Sequence, residues 1–177
     1  TGAMGVGLLR TEFIFMNRPD LPSEDEQFNA LKAIVKKLKG KPLTIRTLDV
    51  GGEKIASGLG DTYSESVNPA LGLRAIRFGL RETKILDTQL CAILRASAYG
   101  PVRILIPMVS SADQMNQVRK RLVRLEKKLQ KRGIKLPPAL PPVGAMIEIP
   151  GAALSADALS KVCDFFAIGS NDLTQYT

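Results

Sequence analysis

Short apolar runs that break off into charged residues recur along this chain, and the stretches between them repeat their apolar positions every three or four residues. The runs predict strands over residues 6–13, 43–52, 102–109, 143–150 and 164–168, each too short for a helix. Pro107 marks where the third leaves the sheet. The intervening stretches predict helices. Ser23-Glu24-Asp25-Glu26 is a capping box; Phe28, Leu31, Ile34, Val35 and Leu38 then follow at helical spacing until Gly40. Residues 73–98 predict one long helix built on Ile76, Leu80, Leu90, Ile93 and Leu94. Arg74 and Arg77 stand at the end where acids are favoured, which points to an anion nearby or to a solvated side chain. Ser111-Ala112-Asp113-Gln114 caps a helix whose apolar seam is Met115, Val118, Leu122, Leu125 and Leu129, and a last helix is predicted around residues 152–162.

This alternation predicts an α/β protein with a parallel sheet and right-handed crossovers, with residues 1–177 as one domain. An open doubly wound sheet and a barrel both satisfy it. No dinucleotide or P-loop glycine fingerprint is present, which lowers the open-sheet reading. A complete (β/α)8 barrel takes about 250 residues, more than the 177 of this chain. Residues 53–66 are rich in Gly and Ser and long for a connection, the signature of a functional or mobile loop. Pro137-Pro138-Ala139-Leu140-Pro141-Pro142 is a stiff connector.

Sites in α/β proteins are built beyond the carboxyl ends of the strands. Arg10, Glu12, Arg46, Asp49, Glu148 and the run Gly169-Ser170-Asn171-Asp172 all fall there. Singly, Glu148 or Asp172 reads as a cap or turn residue. On neighbouring strand ends together they offer hard anionic oxygens suited to Mg²⁺ or Mn²⁺. The chain has no histidine, which excludes a His-based triad, a His-ligated metal or a phosphohistidine within it. Cys91 and Cys163 have no metal-ligand spacing and suit a reduced, cytoplasmic protein. No run is long enough to span a bilayer and no signal peptide opens the sequence, so no membrane insertion is expected.

The net charge of +8 gathers on the helix after Ser111, where eight lysines and arginines face Glu126 alone. A basic binding module for nucleic acid or an acidic partner is the second functional reading. A solvated outer face is the plainer one, because almost no aromatics interleave with those cations.

Five ordered stretches carry a resemblance: Gly7-Leu8-Leu9-Arg10-Thr11-Glu12-Phe13, Ile45-Arg46-Thr47-Leu48-Asp49-Val50-Gly51-Gly52, Asn68-Pro69-Ala70-Leu71-Gly72-Leu73-Arg74-Ala75-Ile76-Arg77, Ile93-Leu94-Arg95-Ala96-Ser97-Ala98 and Ile168-Gly169-Ser170-Asn171-Asp172-Leu173-Thr174-Gln175-Tyr176. Together they resemble the phosphoenolpyruvate-binding domain of enzyme I of the bacterial phosphotransferase system, and more distantly pyruvate phosphate dikinase and phosphoenolpyruvate synthase. The resemblance implies a (β/α)8 TIM barrel, present here as about strands two to six, with the first expected before Thr1 and the last two after Thr177. It implies that Arg10 and Arg46 grip the phosphate, that Glu148 and Asp172 hold Mg²⁺ (or Mn²⁺), and that Asn171 and Asp172 contact the substrate, with Arg74, Lys54 and Asn68 lining the same mouth.

Partners implied are phosphoenolpyruvate, a histidine-bearing N-terminal domain, the phosphocarrier protein, and a second copy in a homodimer, with no nucleic acid. The family's catalytic cysteine, in a Gly-Met-Cys-Gly-Glu-type context, and a further substrate arginine are expected beyond Thr177, so no catalytic residue is expected in this chain. Alone it is expected to be inactive and prone to associate through open strand edges. Residues 55–62 lack the aromatics the family carries after Lys54. Sugar uptake and a nitrogen-regulatory branch both remain open for the parent enzyme.

Overall fold

The computed structural model describes residues 2–16, 18, 20–50 and 72–177. Five strands, β1 (Val6–Arg10), β2 (Leu43–Arg46), β3 (Val102–Ile106), β4 (Val143–Ile147) and β5 (Phe165–Ile168), form one sheet in the order β1-β2-β3-β4-β5. Every neighbouring pair is parallel. A doubly wound sheet reverses its strand order at a switch point; this sheet never does. It curls into a half-barrel, the architecture of an incomplete (β/α)8 barrel. Helices α1 (Glu24–Lys37), α2 (Ala75–Arg81), α3 (Thr83–Ala96), α4 (Ala112–Lys131), α5 (Pro150–Leu154), α6 (Ala156–Ser160) and α7 (Ser170–Gln175) follow in order among the described residues. None of them is long and apolar enough to cross a membrane.

Alternation along the strands divides the sheet into two faces. Leu43 and Ile45, Val102, Ile104 and Ile106, and Val143, Ala145 and Ile147 join α1, α3 and α4 in a single buried cluster. The α4 seam of Met115, Val118, Leu122, Leu125 and Leu129 is buried as its spacing predicts. The opposite, inner face carries a row across all five strands, Arg10, Arg46, Leu105, Gly144 and Phe165, paired side by side. Gly144 fills that row without a side chain because the Phe165 ring lies over it: an added Cβ would stand 2.6 Å from both the ring and the Phe165 carbonyl oxygen. A register shift between Val6 and Leu9 turns the end of β1 so that Arg10 comes beside Arg46.

Local structure departs from the sequence pattern in several places. Residues 73–98 hold two helices, because Glu82 leaves the helical region at φ −90 and ψ 65 between α2 and α3. Residues 152–162 likewise hold parts of two short helices, α5 and α6, broken at Ser155. The strands are shorter than predicted: β1 ends at Arg10 and passes into a 3-10 turn (Glu12–Ile14), and β2 ends at Arg46. Asp172 lies in the first turn of α7, just past the end of β5. The Ser23 capping box forms in full. The Ser111 side chain makes no cap bond; Gln114 Oε1 instead accepts from the Ser110 N–H at 2.8 Å.

Neighbouring acids answer much of the basic charge on α4. Arg119 pairs with Asp164 at 2.9 Å, Arg121 with Asp87 at 3.0 Å and Arg124 also with Asp87, while Arg132 just past the helix pairs with Glu24 at 2.8 Å. The helix is an outer wall tied to its neighbours, and nothing in its geometry favours the nucleic-acid reading.

Gly144→Ala should destabilise the fold by about 1–3 kcal/mol through the clash with Phe165. Gly7→Ala, where a Cβ meets nothing within 4 Å, should change it by less than about 0.5 kcal/mol. Urea unfolding of the two variants side by side checks the contrast; equal midpoints would refute it.

Candidate functional site

β2 stops at Arg46, and each of the next three backbone N–H groups still needs a partner. Each finds a different one. Thr47 N–H donates to the Leu105 carbonyl on β3 at 3.0 Å. Leu48 N–H donates to Gln89 Oε1 on α3 at 2.8 Å. Asp49 N–H donates to Glu12 Oε1 at 2.9 Å. The segment carrying Arg46 and Asp49 is therefore fixed from three sides.

On that anchored segment the charges alternate. Arg46, only 7% exposed, places Nη2 3.2 Å from Glu12 Oε1 and Nη1 3.0 Å from Asp49 Oδ2. The other Asp49 oxygen lies 3.1 Å from Arg74 Nε, and Arg74 Nη2 lies 3.5 Å from Asp172 Oδ1. Acid and base follow one another from the end of β1, through β2 and the start of α2, to α7. Buried charges persist only when paired in this way. Burial works against the charge on Arg74, but Asp49 outweighs it, with Asp172 and Tyr176 adding to it, and its pKa is raised. The anion that Arg74 needed at a helix start is thus a protein carboxylate pair. Two polar atoms of this group, Glu12 Oε2 and Arg46 Nε, are buried without a hydrogen-bond partner.

Glu148 follows β4 directly and is 1% exposed. Its Oε1 accepts the Met108 N–H at 2.7 Å. Gly169 passes so close that an added Cβ would stand 2.5 Å from Glu148 Oε2, which makes the glycine at the end of β5 a requirement of the glutamate. Burial pushes the Glu148 carboxyl up to about 7; the Met108 N–H opposes this, Asp49 and Asp172 reinforce it by repulsion, and Arg46 opposes it weakly.

Of the residues singled out from sequence, Arg46, Arg74, Glu148 and Asp172 come together at the strand ends. Arg10 is exposed beside Arg46 at the end of β1, and Asn171 is exposed one position before Asp172 on α7. Lys54 and Asn68, with the loop of residues 53–66, lie outside the described residues. Asp49 and Glu12 were visible as strand-end charges but not as the acids that hold the arginines. Gln89 and Thr11 were missed, although a lone glutamine among Leu86, Leu90 and Ile93 was a signal.

Among the described residues no three His, Cys, Asp or Glu side chains gather closely enough to cage a metal. Glu148 and Asp172 nevertheless fit a hard divalent ion that takes one or two carboxylates and draws its other oxygens from water or substrate. The mutual repulsion that helps raise Glu148 is what such an ion relieves.

Comparisons with known proteins bear on this arrangement. A family model described as PEP-utilising enzyme, PEP-binding domain matches residues 1–177. The chain is similar to the phosphoenolpyruvate-protein phosphotransferases of Cupriavidus necator, with 50% identity over 177 residues, of Priestia megaterium, with 46% over 176, and of Bacillus subtilis, with 45% over 176. Each match covers 99% of this chain and 30% of the relative's length.

Glu148 sets a pH dependence. The folded state holds its proton up to about pH 7, whereas the ordinary carboxyl value is 4.5. Stability is therefore greatest below about pH 4.5 as far as this group goes, and falls as pH rises through 7. Glu148→Gln removes that loss. In metal-free buffer the variant should gain on the wild type between these pH values, reaching about 2–3 kcal/mol by pH 8. Urea unfolding across the range checks it; a difference that does not change with pH would contradict the buried-carboxylate account.

Proposed function

Since the chain belongs to the PEP-binding domain family of PEP-utilising enzymes, we propose that its strand-end mouth binds phosphoenolpyruvate as part of a phosphoenolpyruvate–protein phosphotransferase. The observation that carries this is the pair of guanidiniums, Arg46 and Arg74, locked by the one Asp49 carboxylate at the strand ends. Guanidiniums match phosphate oxygens through forked, charge-assisted hydrogen bonds. Exposed Arg10, beside Arg46, adds a third cation that is free to reach a ligand.

Charge balance calls for a cation. Among the described residues, Arg10, Arg46 and Arg74 are set against Glu12, Asp49, Glu148 and Asp172, which leaves no positive surplus for a polyanion. Glu148 and Asp172 would hold Mg²⁺ or Mn²⁺, which when bound neutralises phosphate and enolate oxygens as negative charge develops. Asn171 contacts the carboxylate end of the substrate. Lys54 and Asn68 belong to the same proposed mouth by resemblance alone.

In the reaction proposed for the parent enzyme, the bond between phosphorus and the enol oxygen breaks and a bond from phosphorus to a histidine nitrogen forms. The histidine belongs to another domain, as this chain has none. Arg46 and Arg74 stabilise the charge left on the enolate and on the transferring group. An acid outside these residues then protonates the enolate carbon to give pyruvate. Transfer to a protein is supported by the names of the relatives; onward transfer to a phosphocarrier protein, a homodimeric parent, a role in sugar transport and a place in the cytoplasm are parts of the same proposal by resemblance alone.

Arg46→Ala should weaken phosphoenolpyruvate binding about ten- to a hundredfold, since a charge-assisted contact is worth about 1.5–3 kcal/mol. Arg46→Lys should restore only part of this, because a point charge lacks the fork. Calorimetric titration with phosphoenolpyruvate, against pyruvate as control, checks both; undiminished affinity in Arg46→Ala would remove Arg46 from the site.

Mn²⁺ should bind weakly alone and more tightly with phosphoenolpyruvate, as followed by water proton relaxation. A Glu148→Gln, Asp172→Asn double variant that keeps its Mn²⁺ affinity would overturn the metal assignment.

A further inference from the structure

Gln89 is an amide on the buried face of α3, 2% exposed, with Leu86, Leu90 and Ile93 as its neighbours along the helix. A polar group in that position is destabilising unless its atoms are paired. Its Oε1 accepts the Leu48 N–H at 2.8 Å, and its Nε2 donates to Thr11 Oγ1 at 3.1 Å. The Thr11 hydroxyl, itself fully buried, donates to the Arg46 carbonyl at 2.9 Å. Donor and acceptor identities force this order. A backbone N–H only donates and a carbonyl only accepts, so the hydroxyl hydrogen goes to Arg46 and its lone pairs face the amide N–H. The relay joins α3 to the residues just past β1 and β2, and holds the chain on both sides of Thr47.

We infer that Gln89, acting with Thr11, is a positioning residue for Arg46 and Asp49, an inference that rests on the phosphoenolpyruvate reading of the site. The backbone from Arg46 to Asp49 sets the separation of the guanidinium and the carboxylate that together present Arg74. Their contacts are 3.0 and 3.1 Å long, so a displacement of about 1 Å takes them out of hydrogen-bond reach. Ligand sites lose affinity or rate over misplacements of that size. Of the three anchors on residues 47–49, the β3 bond continues the sheet and the Glu12 bond belongs to the charge ladder itself. The Gln89 bond is the one made by a neutral side chain from the outer helical layer.

The test uses the 177-residue chain with three substitutions. Gln89→Met keeps side-chain length and volume, so the small cavity of about 10 Å³ beside it is not enlarged. Thr11→Val removes the relay hydroxyl, and Thr11→Ser retains it. Three measurements are made on each: calorimetric affinity for phosphoenolpyruvate with Mg²⁺ under conditions where the variant is folded, the urea unfolding midpoint, and the Arg74 Nε–H signal in a ligand-free proton–nitrogen spectrum. Gln89→Met and Thr11→Val should each raise Kd about tenfold and move the Arg74 signal, while Thr11→Ser stays close to wild type in both.

A lowered midpoint with unchanged Kd and an unmoved Arg74 signal would overturn the inference, leaving Gln89 a purely structural residue. Should the wild-type chain bind no phosphoenolpyruvate, the substrate reading fails by itself. The Arg74 signal then decides positioning: a shift in Gln89→Met supports it and constancy refutes it. Should Gln89→Met not fold, the contrast between Thr11→Val and Thr11→Ser decides on the same criteria.

Discussion

A single carboxylate, that of Asp49, offers one oxygen to Arg46 and the other to Arg74. Asp49 and Arg46 are almost entirely out of water. Removing Asp49 takes one counter-ion from each arginine at once, and loss of pairing for buried charge is far more destabilising than an exposed ion pair is stabilising. Glu12 and Asp172 extend the same alternation in both directions. The strand ends of this half-barrel are thus held by electrostatic pairing, where an ordinary core would use apolar packing. The same groups are the ones to which the proposed function assigns the phosphate.

The rest of the architecture serves that arrangement. The sequential parallel order brings every strand end to one rim. The register shift in β1 sets Arg10 beside Arg46. Gly144 and Gly169 allow close approach at two points where any side chain would strike Phe165 or Glu148. The helical layer contributes the apolar cluster on one side and, through Gln89, a polar tether on the other. The apolar cluster lies on the outer face and the charged groups on the strand-end rim, where (β/α) barrels build their sites.

Much of this was legible in the sequence because its causes are local. A capping box, an apolar seam at helical spacing and an apolar run ending in charge are set by neighbouring residues, and Ser23, the α4 seam and Glu148 fell where those patterns placed them. The split at Glu82 was not legible, since Arg81-Glu82-Thr83 carries no Gly or Pro to announce it. The role of Asp49 was hidden for a different reason. Its partner Arg74 lies 25 positions away in sequence, and only the folded chain brings them together. Gln89 left a trace as one polar residue in an apolar stripe, but its partners are backbone and hydroxyl groups of strand ends that periodicity cannot identify. Resemblance supplied the roles of Arg10, Arg74 and Asn171, which spacing alone left open.

The central claim is that the Arg46–Asp49–Arg74 group and the Glu148–Asp172 carboxylates form one mouth that takes a phosphate and a divalent ion together. Crystals of the chain grown with phosphoenolpyruvate and Mn²⁺, with data collected at the manganese edge, test it most directly. The account predicts an anomalous peak bound by Glu148 and Asp172, with phosphate density within hydrogen-bond reach of Arg46 and Arg74. Manganese bound elsewhere, or phosphate density away from both arginines, would contradict it.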